Sequence, residues 1–125
     1  MVTLWALYGR AAGSALRATH WCEAAAVTPD HRVHDLGTSA ATTPHHALDW
    51  LRARVRDVAD QLNAPSARPA WHWLLDGWEY DRALRLLTRG ETYSFLLDEE
   101  GVRYVLSARS AGKHRGQPVL SRSPA

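Results

Sequence analysis

The clearest periodic signal in the chain is an apolar stripe within residues 44–62. Its members recur at spacings of three and four residues, which is the period of one helix face. They are Leu48, Leu51, Val55, Val58 and Leu62. Thr43 and Pro44 precede the stripe and are typical of an N-cap followed by proline at the first helical position. The pattern predicts a main amphipathic helix over residues 44–62.

Alternation of apolar and polar positions predicts strands before this helix. Residues 2–8 are apolar on both alternating faces, which indicates a central strand. Residues 19–27 predict a second strand, with a short helix as the alternative because the alanine run has weak β-propensity. Residues 32–36 predict a third, short strand, and residues 37–43 a polar loop.

After the main helix, residues 66–69 indicate a surface connection and residues 71–75 a further short strand. In that strand the alternation puts Trp71 and Trp73 on the same face. A second, shorter helix is predicted over residues 79–89, closed by Gly90 as the residue after its C-cap.

The last apolar pattern predicts a C-terminal β-hairpin. Residues 91–98 and 102–108 both alternate, and Gly101 between them suits a short turn with a left-handed residue. Residues 109–125 are mostly glycine, serine, proline and basic residues, so we expect a disordered basic tail after a single domain of residues 1–108.

These elements predict an α+β fold. We expect a small mixed or antiparallel sheet of four to six strands packed against one main amphipathic helix at 44–62 and a second shorter helix at 79–89, with the C-terminal β-hairpin completing the sheet.

Charge distribution lowers the expectation of nucleic-acid binding. The chain has 15 basic and 13 acidic residues, but four of the basic residues and none of the acids lie in residues 109–125. The body is therefore slightly acidic, whereas domains that grip phosphates usually carry a basic face. Non-specific nucleic-acid binding through the tail is kept as the weaker alternative, and nucleic acid is otherwise an unexpected partner.

The chain lacks the marks of a membrane or secreted protein. No apolar run approaches the roughly 20 residues that span a bilayer, and the first residues have no basic region typical of a secretory signal. Cys22 is the single cysteine, so no intrachain disulfide forms, which fits a reducing compartment. We expect a cytoplasmic location and no membrane partner.

Tryptophan is the compositional outlier, with six residues against a single phenylalanine. Trp71, Trp73 and Trp78 fall close together, and Tyr80 follows them. A small interior has limited room for indoles, which favours an aromatic binding surface, with plain core packing as the competing interpretation. The first functional hypothesis is a non-enzymatic binding module that holds a protein partner or a second copy of itself through this surface.

The same region supports a second hypothesis, a small enzyme or small-molecule binder with an aromatic pocket around residues 71–81. His72, Asp76 and Glu79 are its possible polar groups. A structural explanation competes with it, because Asp76 suits an N-cap and Glu79 a first helical turn, where the helix dipole favours acids.

Other reactive side chains give no specific signature. The histidines at 31, 34, 45 and 46 have no spacing typical of zinc ligands, so solvated surface histidines explain them better. Cys22 lies two residues after His20, yet a nucleophilic thiolate needs a lowered pKa, and a buried cysteine is the commoner case. The sequence therefore predicts no metal and no cofactor, and leaves open any chemical role of Cys22 or the histidines.

Overall fold

The computed structural model describes residues 18–111. Within them the chain forms four strands and three helices, which confirms the predicted α+β class. In chain order they are β1 (His20–Val27), β2 (Val33–Ala41), α1 (Pro44–Ala59), α2 (Ala64–Leu74), α3 (Gly77–Thr88), β3 (Tyr93–Glu99) and β4 (Val102–Ser110). The strand predicted at residues 2–8 lies outside the described residues.

The described strands form one antiparallel sheet in the order β2-β1-β4-β3. Alternate residues of β1 are buried, and small side chains among them let α1 lie close to the sheet. The Sγ of Cys22 is 3.9 Å from the carbonyl oxygen of Ala47 in α1. The helices therefore cover one face of the sheet, and the core lies between these two layers.

The main helix begins where the sequence predicts. The Thr43 hydroxyl accepts a hydrogen bond from the backbone N–H of His46, as expected of an N-cap. The buried side of α1 follows the apolar stripe and consists of Ala47, Leu48, Leu51, Val55, Val58 and Ala59. The helix ends at Ala59 with Asp60 as C-cap, three residues before the predicted end, and Leu62 enters the core from the following turn.

Residues 37–43 do not form the predicted polar loop, because β2 continues to Ala41. Thr38 and Ser39 pair with Glu23 and Cys22 across the β1 ladder. Since β2 is an edge strand of the described sheet, its side chains need not be apolar on both faces.

The strand predicted at residues 71–75 is wrong, and so is the surface connection before it. These residues belong largely to α2, whose N-cap Asn63 accepts a hydrogen bond from the N–H of Ser66. Pro65 lies in the first turn, where no intrahelical N–H bond is needed. Pro69 removes only the bond to the carbonyl of Pro65, and burial of one helix face outweighs that loss.

The second predicted helix and the hairpin are both confirmed. α3 starts at Gly77, two residues before the predicted start, and Gly90 follows its C-cap with φ of 82°. Glu100 and Gly101 both have positive φ between β3 and β4, as in a tight hairpin turn. β4 continues to Ser110, so Arg109 lies in the sheet, while the division into domain and tail stays a prediction.

No helix within residues 18–111 has the length and apolar content that crossing a membrane requires.

The N-cap of α2 can be tested because the sequence alone favours a loop there. Asn63→Ala removes the acceptor that lies 2.9 Å from the Ser66 nitrogen, and should lower the free energy of unfolding by about 1 kcal/mol in urea titrations. Asn63→Ser keeps an acceptor without adding a charge beside Glu99, whose Oε2 accepts from the backbone N–H of residue 63 at 2.8 Å, and should stay near wild type. Equal stability of all three proteins would contradict a helix start at this residue.

Candidate functional site

The tryptophans of the described chain divide between core and surface. Trp73 is buried with 7% of its surface exposed, whereas Trp71 is 39% and Trp78 is 84% exposed. Trp21 and Trp50 are half-buried, and Trp5 lies outside the described residues. The interior therefore houses part of the cluster and leaves the rest accessible.

The helical conformation of α2 explains why neighbouring indoles separate. Residues two apart on a helix point about 200° apart, so the shared face that alternation predicts for Trp71 and Trp73 is wrong. Trp73 stacks on Phe95 at a centroid distance of 4.6 Å, and its Nε1–H donates to the Tyr93 hydroxyl at 2.8 Å. Trp71 is left on the outer side of the helix.

An exposed apolar surface lies where α2 gives way to α3. We call it the α2–α3 corner and define it as Trp71, Leu75 and Trp78. Leu75 is the C-cap of α2, four residues after Trp71, and is 86% exposed. Asp76 then caps α3 by accepting from the N–H groups of Trp78 and Glu79. The break between the helices thus holds two large apolar side chains in solvent.

Beside the corner runs an open groove of about 680 Å³. It is lined by Ala64, Arg68, Trp71, His72, Leu75 and Asp76. The groove brings together one indole, one imidazole and one carboxylate of the predicted pocket. Glu79, Tyr80 and Trp73 are not part of its lining, so of the polar groups expected around residues 71–81 only His72 and Asp76 meet there.

Tyr80 packs where the three helices meet. It is half-buried, and the Arg52 guanidinium carbon from α1 lies 5.5 Å from its ring centroid. The Nη1 of Arg52 also donates to the carbonyl of Leu74 at 3.1 Å, near the C-terminus of α2. These contacts hold the three helices together just below the corner.

Glu79 belongs to a hydrogen-bonded chain that reaches from the core to solvent. The Tyr93 hydroxyl donates to Glu79 Oε2 at 2.5 Å, while Arg82 donates from Nε to Oε1 at 3.1 Å and from Nη2 to Oε2 at 3.0 Å. The hydrogen bonds from Arg82, with a smaller contribution from Tyr93, hold the pKa of Glu79 below its ordinary value. The ionised carboxylate therefore accepts hydrogen bonds and is poorly suited to act as a general acid.

Cys22 and His20 support packing between the sheet and the helices. Cys22 is fully buried, and burial raises the pKa of its thiol to about 12, so the nucleophilic thiolate is scarce at neutral pH. His20 is also buried, and its Nε2 donates to the carbonyl of Leu87 at 2.9 Å. The Thr19 hydroxyl lies 2.7 Å from the other ring nitrogen.

The loop histidines do not assemble a ligand set in the described chain. Between residues 18 and 111, no three His, Cys, Asp or Glu side chains come together in a way that would hold a metal ion. His31 has positive φ in the turn after β1, and His46 lies 3.3 Å from the Thr42 hydroxyl at the start of α1.

Sequence reasoning missed Leu75 and Arg68 as members of the site. Leu75 is assigned to a strand face by alternation, which gives no reason to expect it in solvent. Asn63 followed by Pro65 was the available signal, because a cap with proline in the first turn predicts a helix and hence a different set of outward residues.

The buried hydroxyl of Tyr93 gives a direct test of the core network. Tyr93→Phe leaves the Trp73 N–H without its acceptor and should lower the free energy of unfolding by about 1–3 kcal/mol. Tyr104→Phe in β4 is the matched control, because no hydrogen bond from its half-buried hydroxyl is found within residues 18–111. A Tyr93→Phe protein as stable as the control would contradict the network.

Acid titration tests the ionised state of Glu79. Its folded pKa is lowered, so its contribution to stability is present above its unfolded value near 4.5 and is lost as pH falls through the folded value. Glu79→Gln should therefore flatten the fall in unfolding free energy below about pH 5, and Arg82→Gln should flatten it partly. Urea titrations across this range measure the slope. An unchanged slope in Glu79→Gln would exclude the proposed coupling.

Comparison of the chain with protein-family models, with curated proteins and with solved structures finds no match. The geometry of the described chain is therefore what bears on its function. Its most distinctive accessible feature is the α2–α3 corner with the adjoining groove.

Proposed function

We propose that this protein is a non-enzymatic binding module that holds a protein partner, or a second copy of itself, through the α2–α3 corner. The observation that carries the proposal is the almost complete exposure of Leu75 and Trp78 beside the partly exposed Trp71. Tryptophan anchors of this kind are enriched among the residues that dominate protein interfaces.

The backbone of the α2–α3 corner is already ordered in the unbound protein. Asp76 caps α3 and fixes the backbone at Trp78, while Arg52 bonds to the carbonyl of Leu74 next to Leu75. A backbone that is already ordered loses little conformational freedom on binding, so more of the energy gained from burying the apolar side chains appears as affinity. Burying apolar area contributes about 25 cal/mol per Å² before such losses.

The groove supplies a polar border to the apolar corner. Arg68, His72 and Asp76 line it together with Trp71. Interfaces commonly combine a buried apolar centre with a polar rim of this sort. Trp73 lies in the core and Tyr80 lies under Arg52, so the proposed contact surface consists of Trp71, Leu75 and Trp78.

A small-molecule binder or small enzyme is the second candidate, favoured by the groove that joins Trp71, His72 and Asp76. Its volume is within the range of about 300–1,000 Å³ common for ligand sites. The proposal ranks lower because the Asp76 carboxylate is engaged in capping, and Glu79 is engaged with Arg82 and Tyr93.

Two further expectations remain predictions. Nucleic-acid binding through residues 109–125 loses one member of its basic set, because Arg109 lies in β4 and its Nη1 is 3.2 Å from Glu23 Oε1. The other basic residues of that segment lie outside the described chain. A cytoplasmic location is still supported by the single, buried cysteine.

The corner predicts a specific loss of association. The double change Leu75→Ala and Trp78→Ala removes the exposed anchors and should weaken self-association or partner binding by about 30-fold or more. Because both side chains are exposed, the free energy of unfolding should change by no more than about 0.5 kcal/mol. Sedimentation equilibrium measures self-association, and quantitative affinity capture compares partners held by each variant.

Leu36→Ala is the matched control, because Leu36 is another exposed leucine but lies on β2. It should retain wild-type association. If the wild type stays monomeric at all concentrations and the double variant captures the same proteins equally well, the binding-module proposal fails. Association lost only on His72→Ala, with the double variant unaffected, would move the contact surface from the corner to the groove and overturn the proposal for the corner.

A further inference from the structure

The sheet has a second face, opposite the helices, that carries an apolar band. Its members are the residues that alternate with the buried positions of the strands. The band consists of Trp21, Ala25, Val27, Val33, Leu96 and Val105. None of these six belongs to the cluster that packs against the helices. We call this side the outer face of the sheet.

Strand register joins five members of the band, while Glu23 separates the sixth, Trp21, from Ala25 along β1. Leu96 pairs with Val105, and Val105 pairs with Ala25, which gives an apolar row across three strands. Val27 pairs with Val33 in the adjoining position at the edge of the sheet. Within residues 18–111 no helix packs on this face, because the core cluster joins all three helices to the opposite one.

Four of the charged side chains around the band form two ion pairs, whereas Asp35, opposite Ala25, accepts a hydrogen bond from the backbone N–H of Gly37. Arg109 pairs with Glu23 at 3.2 Å, and Arg103 pairs with Asp98 at 2.9 Å. An occupant of the outer face therefore meets apolar side chains, two compensated ion pairs and the Asp35 carboxylate. This chemistry favours an uncharged apolar segment over a strongly acidic or basic partner.

We propose that the outer face is the docking site of the chain's own N-terminal residues 2–8. Residues 1–9 contain no charged side chain and include Val2, Leu4, Trp5, Leu7 and Tyr8. The other segment outside the described chain, residues 112–125, is mainly polar and basic, with Val119 and Leu120 as its large apolar residues. Apolar content thus selects the N-terminal segment.

The connection is long enough for this docking. Residues 9–17 separate the segment from the described chain, and an extended stretch of that length spans about 30 Å. Ala25, in the middle of the apolar row, lies five residues along β1 from His20, a distance of about 17 Å. The proposal is independent of the α2–α3 corner, which lies on the helical layer.

Side-chain footprinting by hydroxyl radicals tests the docking on the full-length protein. Trp21 reports on the outer face, Trp78 on the corner and Trp73 on the core. In the variant Leu4→Glu with Leu7→Glu, the oxidation rate of Trp21 should rise several-fold while the rates of Trp78 and Trp73 stay constant. The control Thr3→Glu adds charge at a polar position of the same segment and should have the smaller effect. An unchanged Trp21 rate with Trp73 still protected would overturn the proposal.

A second measurement applies should the charged variant unfold, which a faster Trp73 rate would reveal. A spin label on Thr3→Cys should broaden the methyl signals of Leu96 and Val105 beyond detection and spare that of Leu75. Broadening of Leu75 alone would overturn the proposal. Mixing spin-labelled protein with isotope-labelled protein that carries no spin label tests whether the segment docks on a second copy. Broadening of Leu96 and Val105 in this mixture would arise between molecules, and would replace the intramolecular docking with self-association.

Discussion

The packing of Trp73 in the core determines which side chains of α2 are exposed to solvent. Its ring stacks on Phe95, and its N–H bonds to Tyr93, so α2 has one permitted rotation about its own axis. Because successive helical residues turn by about 100°, fixing Trp73 inward directs Trp71 and Leu75 outward. Core packing and surface exposure are therefore two results of the same contact.

The hydrogen bonds that continue from Trp73 join elements far apart in the chain. Tyr93 belongs to β3, and its hydroxyl donates a hydrogen bond to Glu79 in α3. Glu79 also accepts a hydrogen bond from Arg82 of the same helix. The sheet thereby positions both helices that meet at the corner. A polar chain of this kind is stable only when every member is satisfied, which explains why the carboxylate has a structural role here.

Patterns with strong local causes could be predicted from the sequence, including the capped start of α1, the hairpin and the end of α3 at Gly90. The helix α2 could not, because Pro65 and Pro69 are typical of a connection between elements, whereas the Asn63 cap and burial of one helix face outweigh them. The site was predicted in part for the same reason. Trp78 follows the break under either interpretation, whereas the inward direction of Trp73 and the exposure of Leu75 depend on helical phase.

Because Cys22 is buried between β1 and α1, the reactivity of its thiol reports local opening of the protein at this contact. The thiol is the single one in the chain, has no exposed surface and stays protonated at neutral pH. An alkylating reagent can react with it only when β1 and α1 separate, so the labelling rate follows the population of open molecules. Conditions or ligands that tighten the two layers would slow that reaction without any added probe.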